Sequence, residues 1–225
     1  MRRRAAGFTL VELLVAMLLA TLVSLLAYSG LEVAMGTWHA TEQRQREMEL
    51  SYLAQSLLRR LLENPVAFDV RDSEDVQQVA FNGSEQGLIF ASHLSSLDDS
   101  DKLYWVQLTQ DRQLTPKGPN WRLLLRYMPM ERTRTLDWAE LADDLASSGE
   151  EQVVLEGQPR AWQFAYLEQR SDGGEDQWKN EWRQRRALPP LIRLTPGKRT
   201  QGVLARLVVA PRETAYVIHG SAARQ

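Results

Sequence analysis

The stretch Gly7-Phe8-Thr9-Leu10-Val11-Glu12 joins an arginine-rich start to a long apolar run, and it decides how the chain is organised. Three consecutive arginines, residues 2–4, precede it, and no charged residue occurs from Leu13 to Leu31. About 20 apolar residues suffice for a helix to cross a hydrocarbon core of roughly 30 Å. Because positive residues stay on the cytoplasmic side, the sequence predicts a membrane-spanning helix with a cytoplasmic N-terminus and the rest of the chain across the membrane.

Glu12 separates three interpretations of this segment. A secretory signal peptide has an apolar core of about 7–15 residues and then a small-residue cleavage site, whereas here the first such site, Ala34-Met35-Gly36, lies beyond a longer run. An uncleaved anchor fits the length but leaves a carboxylate that costs roughly 2.5–3.5 kcal/mol in a membrane. Cleavage between Gly7 and Phe8 would instead create an α-amino group one helical turn from Glu12, which such an amine, from the same chain or a neighbour, can neutralise.

The third interpretation coincides with a known pattern. A short arginine-rich leader, the residues Gly7-Phe8 and then Glu12 at the head of an apolar helix resemble the cleavage and methylation motif of type IV prepilins. The resemblance implies that a prepilin peptidase cuts after Gly7 and that the new amine of Phe8 is N-methylated. It also implies that Glu12 is the family's assembly glutamate, which pairs with a terminal amine.

The sequence predicts that the helix continues well beyond the membrane. No proline occurs before Pro65, which predicts one helix from Phe8 to Leu62. An apolar face in its last turns is expected to pack on the chain's own domain; its residues are Leu50, Leu53, Ala54, Leu57, Leu58 and Leu61. Higher up, Leu31, Met35 and Trp38 form a short stripe that we interpret as a candidate partner interface.

Beyond residue 65 the pattern changes to short apolar runs separated by turn residues, which predicts strands. The predicted strands are Leu88–Ala91, Leu103–Leu108, Trp121–Tyr127, Gln152–Leu155, Trp162–Leu167, Leu191–Leu194 and Val203–Val209. Asn82-Gly83 is typical of a hairpin turn, and Asp137 is expected to cap a short helix that Gly149 closes. The fold class expected is α+β and pilin-like: a long N-terminal helix followed by an antiparallel β-sheet domain.

Composition excludes several kinds of chemistry. The chain has no cysteine, three histidines and a net charge of −2, so thiolate sites, a histidine metal site and a nucleic-acid surface are not expected. The sequence shows no phosphate-binding loop and no Gly-x-Ser-x-Gly nucleophile motif, so we expect no catalytic site, no cofactor and no enzyme activity. Two acidic clusters, residues 98–101 and 172–176, are interpreted as solvated turns, with calcium binding left open. The basic run at residues 183–186 is interpreted as a solvated loop, with an acidic partner as the alternative.

The C-terminal half carries a second, looser resemblance. The aromatic run Trp162–Leu167, a Gly-containing turn, Trp178, Trp182 and then Leu188-Pro189-Pro190 are similar to the minor pseudopilin J family of type II secretion systems. We interpret the pair Trp178 and Trp182 as a packed hairpin tip, with an exposed docking surface as the alternative.

The two resemblances together imply a molecular organisation. The expected segments are a cleaved leader at 1–7, a transmembrane helix at 8–31, a periplasmic helix extension at 32–64 and a periplasmic β-rich domain at 65–225. The implied location is the inner membrane. The implied partners are pseudopilins of the I and K types, the major pseudopilin, the prepilin peptidase and membrane lipid.

The resemblance to pseudopilin J implies a structural role at the tip of the pseudopilus, where the complex primes assembly for export of folded proteins. Two alternatives remain: a minor pilin of a type IV pilus or competence system, and a membrane-anchored module that binds a ligand through Trp178 and Trp182.

Overall fold

A computed structural model describes residues 10–94, 102–116, 118–131, 135–158, 160–169, 175–197 and 206–212, with the backbone alone at residues 30–44, 47, 157 and 158. The chain divides into two compact units, Met1–Glu49 and Leu50–Gln225. The N-terminal apolar helix and the antiparallel sheets that follow it make the fold α+β, as predicted from the sequence.

Helix α1 spans Leu10–Glu63 without interruption, so the predicted long helix is confirmed over the described residues. Gly30 and Gly36 do not break it, although glycine costs about 1 kcal/mol relative to alanine in a helix. The helix ends two residues before Pro65, where the Asn64 side chain donates a hydrogen bond to the Arg60 carbonyl at 2.6 Å.

The second unit contains eleven strands and one further helix among its described residues. A five-stranded antiparallel sheet has the order β3-β4-β5-β6-β7, a four-stranded one the order β11-β10-β8-β9, and β1 and β2 form a separate pair. The bounds are β1 Asp69–Arg71, β2 Gln77–Val79, β3 Phe81–Gly83, β4 Leu88–His93, β5 Leu103–Thr115, β6 Gly118–Pro129, α2 Trp138–Ser147, β7 Glu150–Gln158, β8 Gln163–Glu168, β9 Gln177–Lys179, β10 Ile192–Thr195 and β11 Leu207–Val209.

The larger hydrophobic core joins the last turns of α1 to one face of each of the two larger sheets. Leu58 and Leu62 are fully buried in it, together with Phe81, Phe90 and Tyr166 from the strands. The predicted packing of the helix face on the chain's own domain is confirmed for Ala54, Leu57, Leu58 and Leu61. Leu50 and Leu53 are exposed instead, because the face that meets the sheets begins one turn later and includes Leu62, which the prediction omitted.

Helix α2 covers the opposite face of the five-stranded sheet and builds a smaller core. The Asp137 carboxylate accepts hydrogen bonds from the backbone nitrogens of Ala139 and Glu140, at 2.8 and 3.3 Å, which confirms the predicted cap. Leu141 and Leu145 are buried against residues such as Trp105. Because neighbouring strand residues point to opposite faces, Trp105 and Val106 belong to different cores.

The prediction of a turn at Asn82-Gly83 is wrong, because both residues lie in β3 and pair with β4. Gly83 is a glycine for a different reason: a Cβ there would collide with the ring of Tyr166. The chain turns after it, where the Ser84 nitrogen donates to the Gly87 carbonyl at 2.8 Å.

Strands are present at all seven predicted places, with changed bounds. Strands β5 and β6 run beyond the predicted runs into a hairpin whose distal part leaves Leu114 82% exposed. Trp121 lies in this part and is only partly buried. Strand β11 confirms the end of the predicted Val203–Val209 strand, whereas residues 203–205 lie outside the described residues.

Candidate anchoring and assembly segment

The described part of the N-terminal segment begins at Leu10, the first residue of α1, and Glu12 lies in the first helical turn. A carboxylate is favoured there because the unpaired backbone N–H groups give the helix start a partial positive charge. Gly7 and Phe8, the predicted cleavage residues, lie outside the described residues, so the cut and the methylated amine stay predictions.

Apart from Glu12, the surface of the span is almost entirely apolar. Leu10–Ser29 has a mean hydropathy of 2.5, and none of it is buried inside the protein. Thr21 is one of its few polar side chains, and its hydroxyl donates to the Leu18 carbonyl at 2.8 Å. A hydroxyl bonded within its own helix can lie in hydrocarbon without losing a partner. This segment is therefore long and apolar enough to anchor the protein in a membrane.

Residues 2–28 match the model of the prokaryotic N-terminal methylation motif. They carry the class III leader of type IV pilin-like proteins. Among the three interpretations of the N-terminus, the match favours the prepilin-type leader, and it supports a protein of the pilin or pseudopilin type. A search of curated proteins found no match to the chain.

The candidate partner stripe remains a prediction. The backbone of α1 is helical at Leu31, Met35 and Trp38, but their side chains lie outside the described residues. Helical spacing alone places the three residues on one face.

The structure separates the two tryptophans that the sequence grouped. Trp182 is 6% exposed in the larger core, and its indole nitrogen donates to the Ala187 carbonyl at 3.0 Å. Trp178 lies on the edge strand β9, where the Arg193 guanidinium stacks over its ring at 4.2 Å. Trp182 is therefore packed, as predicted, but it lies in the loop after β9 and not at a hairpin tip. The two rings do not form one exposed binding surface. Sequence reasoning missed Arg193, because only the β8–β10 and β8–β9 pairings bring it near Trp178.

The acidic clusters are only partly described. Residues 98–101 and 172–174 lie outside the described residues, while Glu175 and Asp176 are exposed. Within the described ranges, no group of three or more His, Asp or Glu side chains is arranged to hold a metal ion. Calcium binding at these turns stays an open prediction.

Proposed function

We propose that this protein is a minor pseudopilin of the J type in a type II secretion system. In this role it is a structural subunit, not an enzyme. It joins the I-type and K-type pseudopilins at the tip of the pseudopilus, above the major pseudopilin, and helps prime assembly for export of folded proteins across the outer membrane.

The observation that carries this proposal is the methylation motif at the head of an uninterrupted helix whose last turns enter the core of an antiparallel sheet unit. The motif supports the pilin-type class. The J type rests on the resemblance of the C-terminal half, where β8, the buried Trp182 and the Leu188-Pro189-Pro190 segment follow the order typical of that family.

The proposed location follows from charge and hydropathy. Leu10–Ser29 spans the inner membrane, the arginines at residues 2–4 face the prepilin peptidase on the cytoplasmic side, and the sheet unit lies in the periplasm. Loss of the leader would leave 24 basic and 29 acidic residues, a net acidity that suits a solvated domain.

Co-isolation from membranes tests the proposal. A C-terminally tagged full chain, extracted in mild detergent, should recover the I-type, K-type and major pseudopilins, and deletion of its gene should abolish export of folded proteins. An unrelated single-span protein with the same tag is the control. Recovery of pilus subunits, with loss of pili and normal export in the deletion strain, would identify a type IV minor pilin instead.

A further inference from the structure

A groove of about 570 Å³ lies beside the loop that connects β9 to β10. Its apolar part is formed by Trp182, Leu188 and Pro190, and its charged rim by Arg185, Arg186 and Glu168. Trp182 and Leu188 are buried beneath this groove, and Pro190 is its partly exposed apolar residue.

The loop is held in place by backbone hydrogen bonds to β3 of the five-stranded sheet and to β2. Trp182 and Gly83 exchange two bonds, each 2.9 Å long, and the Arg185 carbonyl accepts from the Val79 nitrogen at 2.7 Å. The indole bond from Trp182 to Ala187 fixes the far side of the loop. A rim ordered before binding loses little conformational entropy when a ligand arrives.

The rim carries more positive than negative charge. Glu168 accepts from Arg185 at 2.5 Å and lies 3.7 Å from the Lys179 ammonium, so one carboxylate serves two cations. Arg185 also lies over the Trp182 ring, 5.3 Å from its centroid. Arg186 is exposed, and among the described residues no carboxylate lies within ion-pair distance of it. The groove therefore has a surplus of positive charge in a chain whose net charge is negative.

We propose that this groove binds an acidic segment of a partner pilin-like subunit. One apolar side chain of the segment lies against the partly exposed Pro190. A neighbouring carboxylate pairs with Arg186, whose planar guanidinium suits a two-point contact with a carboxylate. This inference rests on the proposed function, since it names the chemistry by which a partner subunit of that assembly is recognised.

Site-specific photo-crosslinking in cells tests the inference on the full chain. A benzoylphenylalanine at Ala187, an exposed residue of the groove, should yield an adduct with another chain that carries the methylation motif, at a peptide with at least two carboxylates. Arg186→Glu should lower the adduct yield by about fivefold or more, whereas Arg112→Glu, an exposed arginine on β5, should leave it unchanged. Exchange of a carboxylate in the captured peptide for lysine should restore the yield with Arg186→Glu.

An adduct with phospholipid, an adduct with a second copy of this chain, or no adduct would overturn the inference. An adduct that Arg186→Glu leaves intact would overturn it as well. Co-isolation of the partners, measured in the same strain, keeps the two proposals apart. Recovered partners without the adduct contradict the groove, and absent partners contradict the proposed function.

Discussion

At the scale of single residues, Glu12 is the one charged position between Arg4 and Glu32. Its place in the first turn of α1 lowers the cost of the carboxylate, because the helix start is partly positive, but does not remove the cost of transfer into lipid. A positive group near the carboxylate would offset this cost, and the amine that the predicted cleavage before Phe8 would create has the right charge and spacing.

Glu12→Gln should leave membrane insertion and cleavage intact, since it makes the span more apolar. Recovery of partner chains with the tagged protein should fall by roughly fivefold or more, the change expected for a loss of about 1 kcal/mol. Glu49→Gln, which removes an exposed carboxylate lower on the same helix, is the control. Unchanged recovery with Glu12→Gln would show that the charge has no part in assembly.

Processing has its own signature at Phe8. Mass spectrometry of membrane-extracted protein should show a chain that begins with N-methylated Phe8, because Gly7 offers no side chain to obstruct the peptidase. A strain without prepilin peptidase should give the intact Met1 start. An intact Met1 start in the presence of the peptidase would contradict the cleavage.

Gly83→Ala should destabilise the second unit by about 1–3 kcal/mol, the usual cost of overpacking. The added methyl group would meet the Tyr166 ring, which cannot swing away because it is fully buried and its hydroxyl donates to the Ser84 carbonyl at 3.0 Å. Thermal melts of a double-mutant cycle with Tyr166→Leu measure the effect. If Gly83→Ala costs as much in the Tyr166→Leu background as in the unmodified chain, the collision with the ring is not the cause.

Gly83 also shows where the sequence was insufficient. The pair Asn82-Gly83 has the local signature of a turn, and the reason for the glycine lies in a tyrosine more than eighty positions away. Asp137 gives the opposite result, because its partners are two and three residues on, and the cap was predicted correctly. The N-terminal motif was readable for the same reason, since its parts are neighbours along the chain.

At the scale of elements, α1 changes its surroundings along its length. Its described side chains are exposed from Leu10 to Ser29, and four are buried between Ala54 and Leu62. The apolar periodicity predicted the buried turns. The same spacing continues upstream of them, so the sequence could not show where burial begins, and the prediction included Leu50 and Leu53. The strands β1, β2, β3 and β9 were missed because three residues give no measurable alternation.

The two parts of α1 should respond differently to truncated side chains. In a soluble fragment of residues 32–225, Leu58→Ala should lower the melting temperature by roughly 5–15 °C, because it leaves a cavity at a fully buried position. Trp38→Ala should leave that melt nearly unchanged and should instead weaken recovery of partner chains by the full-length protein. A large drop in the melt with Trp38→Ala would assign the stripe of Leu31, Met35 and Trp38 to the chain's own core.

At the scale of the whole molecule, the second unit begins within α1, at Leu50, and not at the loop after it. The last described residues of the chain contact the C-terminal end of this helix, since the Arg212 backbone nitrogen donates to the Glu63 carbonyl at 2.8 Å. The end of the helix is thus part of the core that the sheets share.

A fragment of residues 50–225 should therefore unfold cooperatively, whereas a fragment of residues 65–225 should not fold. The shorter one lacks Ala54, Leu58, Leu61 and Leu62, and each buried leucine contributes about 2–5 kcal/mol against a total stability of about 5–15 kcal/mol. Circular dichroism melts and dye binding to exposed apolar surface compare the two. A cooperative melt of the shorter fragment would show that the sheets form their core without the helix.

The burial of these last turns also limits how such genes can recombine. An exchange that joined a foreign anchor to this domain at residue 64 would set unrelated side chains against Phe81, Phe90 and Tyr166, and the product would fold poorly. A crossover upstream of Leu50 keeps every helix residue of that core and leaves the core intact. The anchor and the sheets can therefore have different evolutionary origins. The junction between two such gene segments would then lie inside a continuous helix and not at its end.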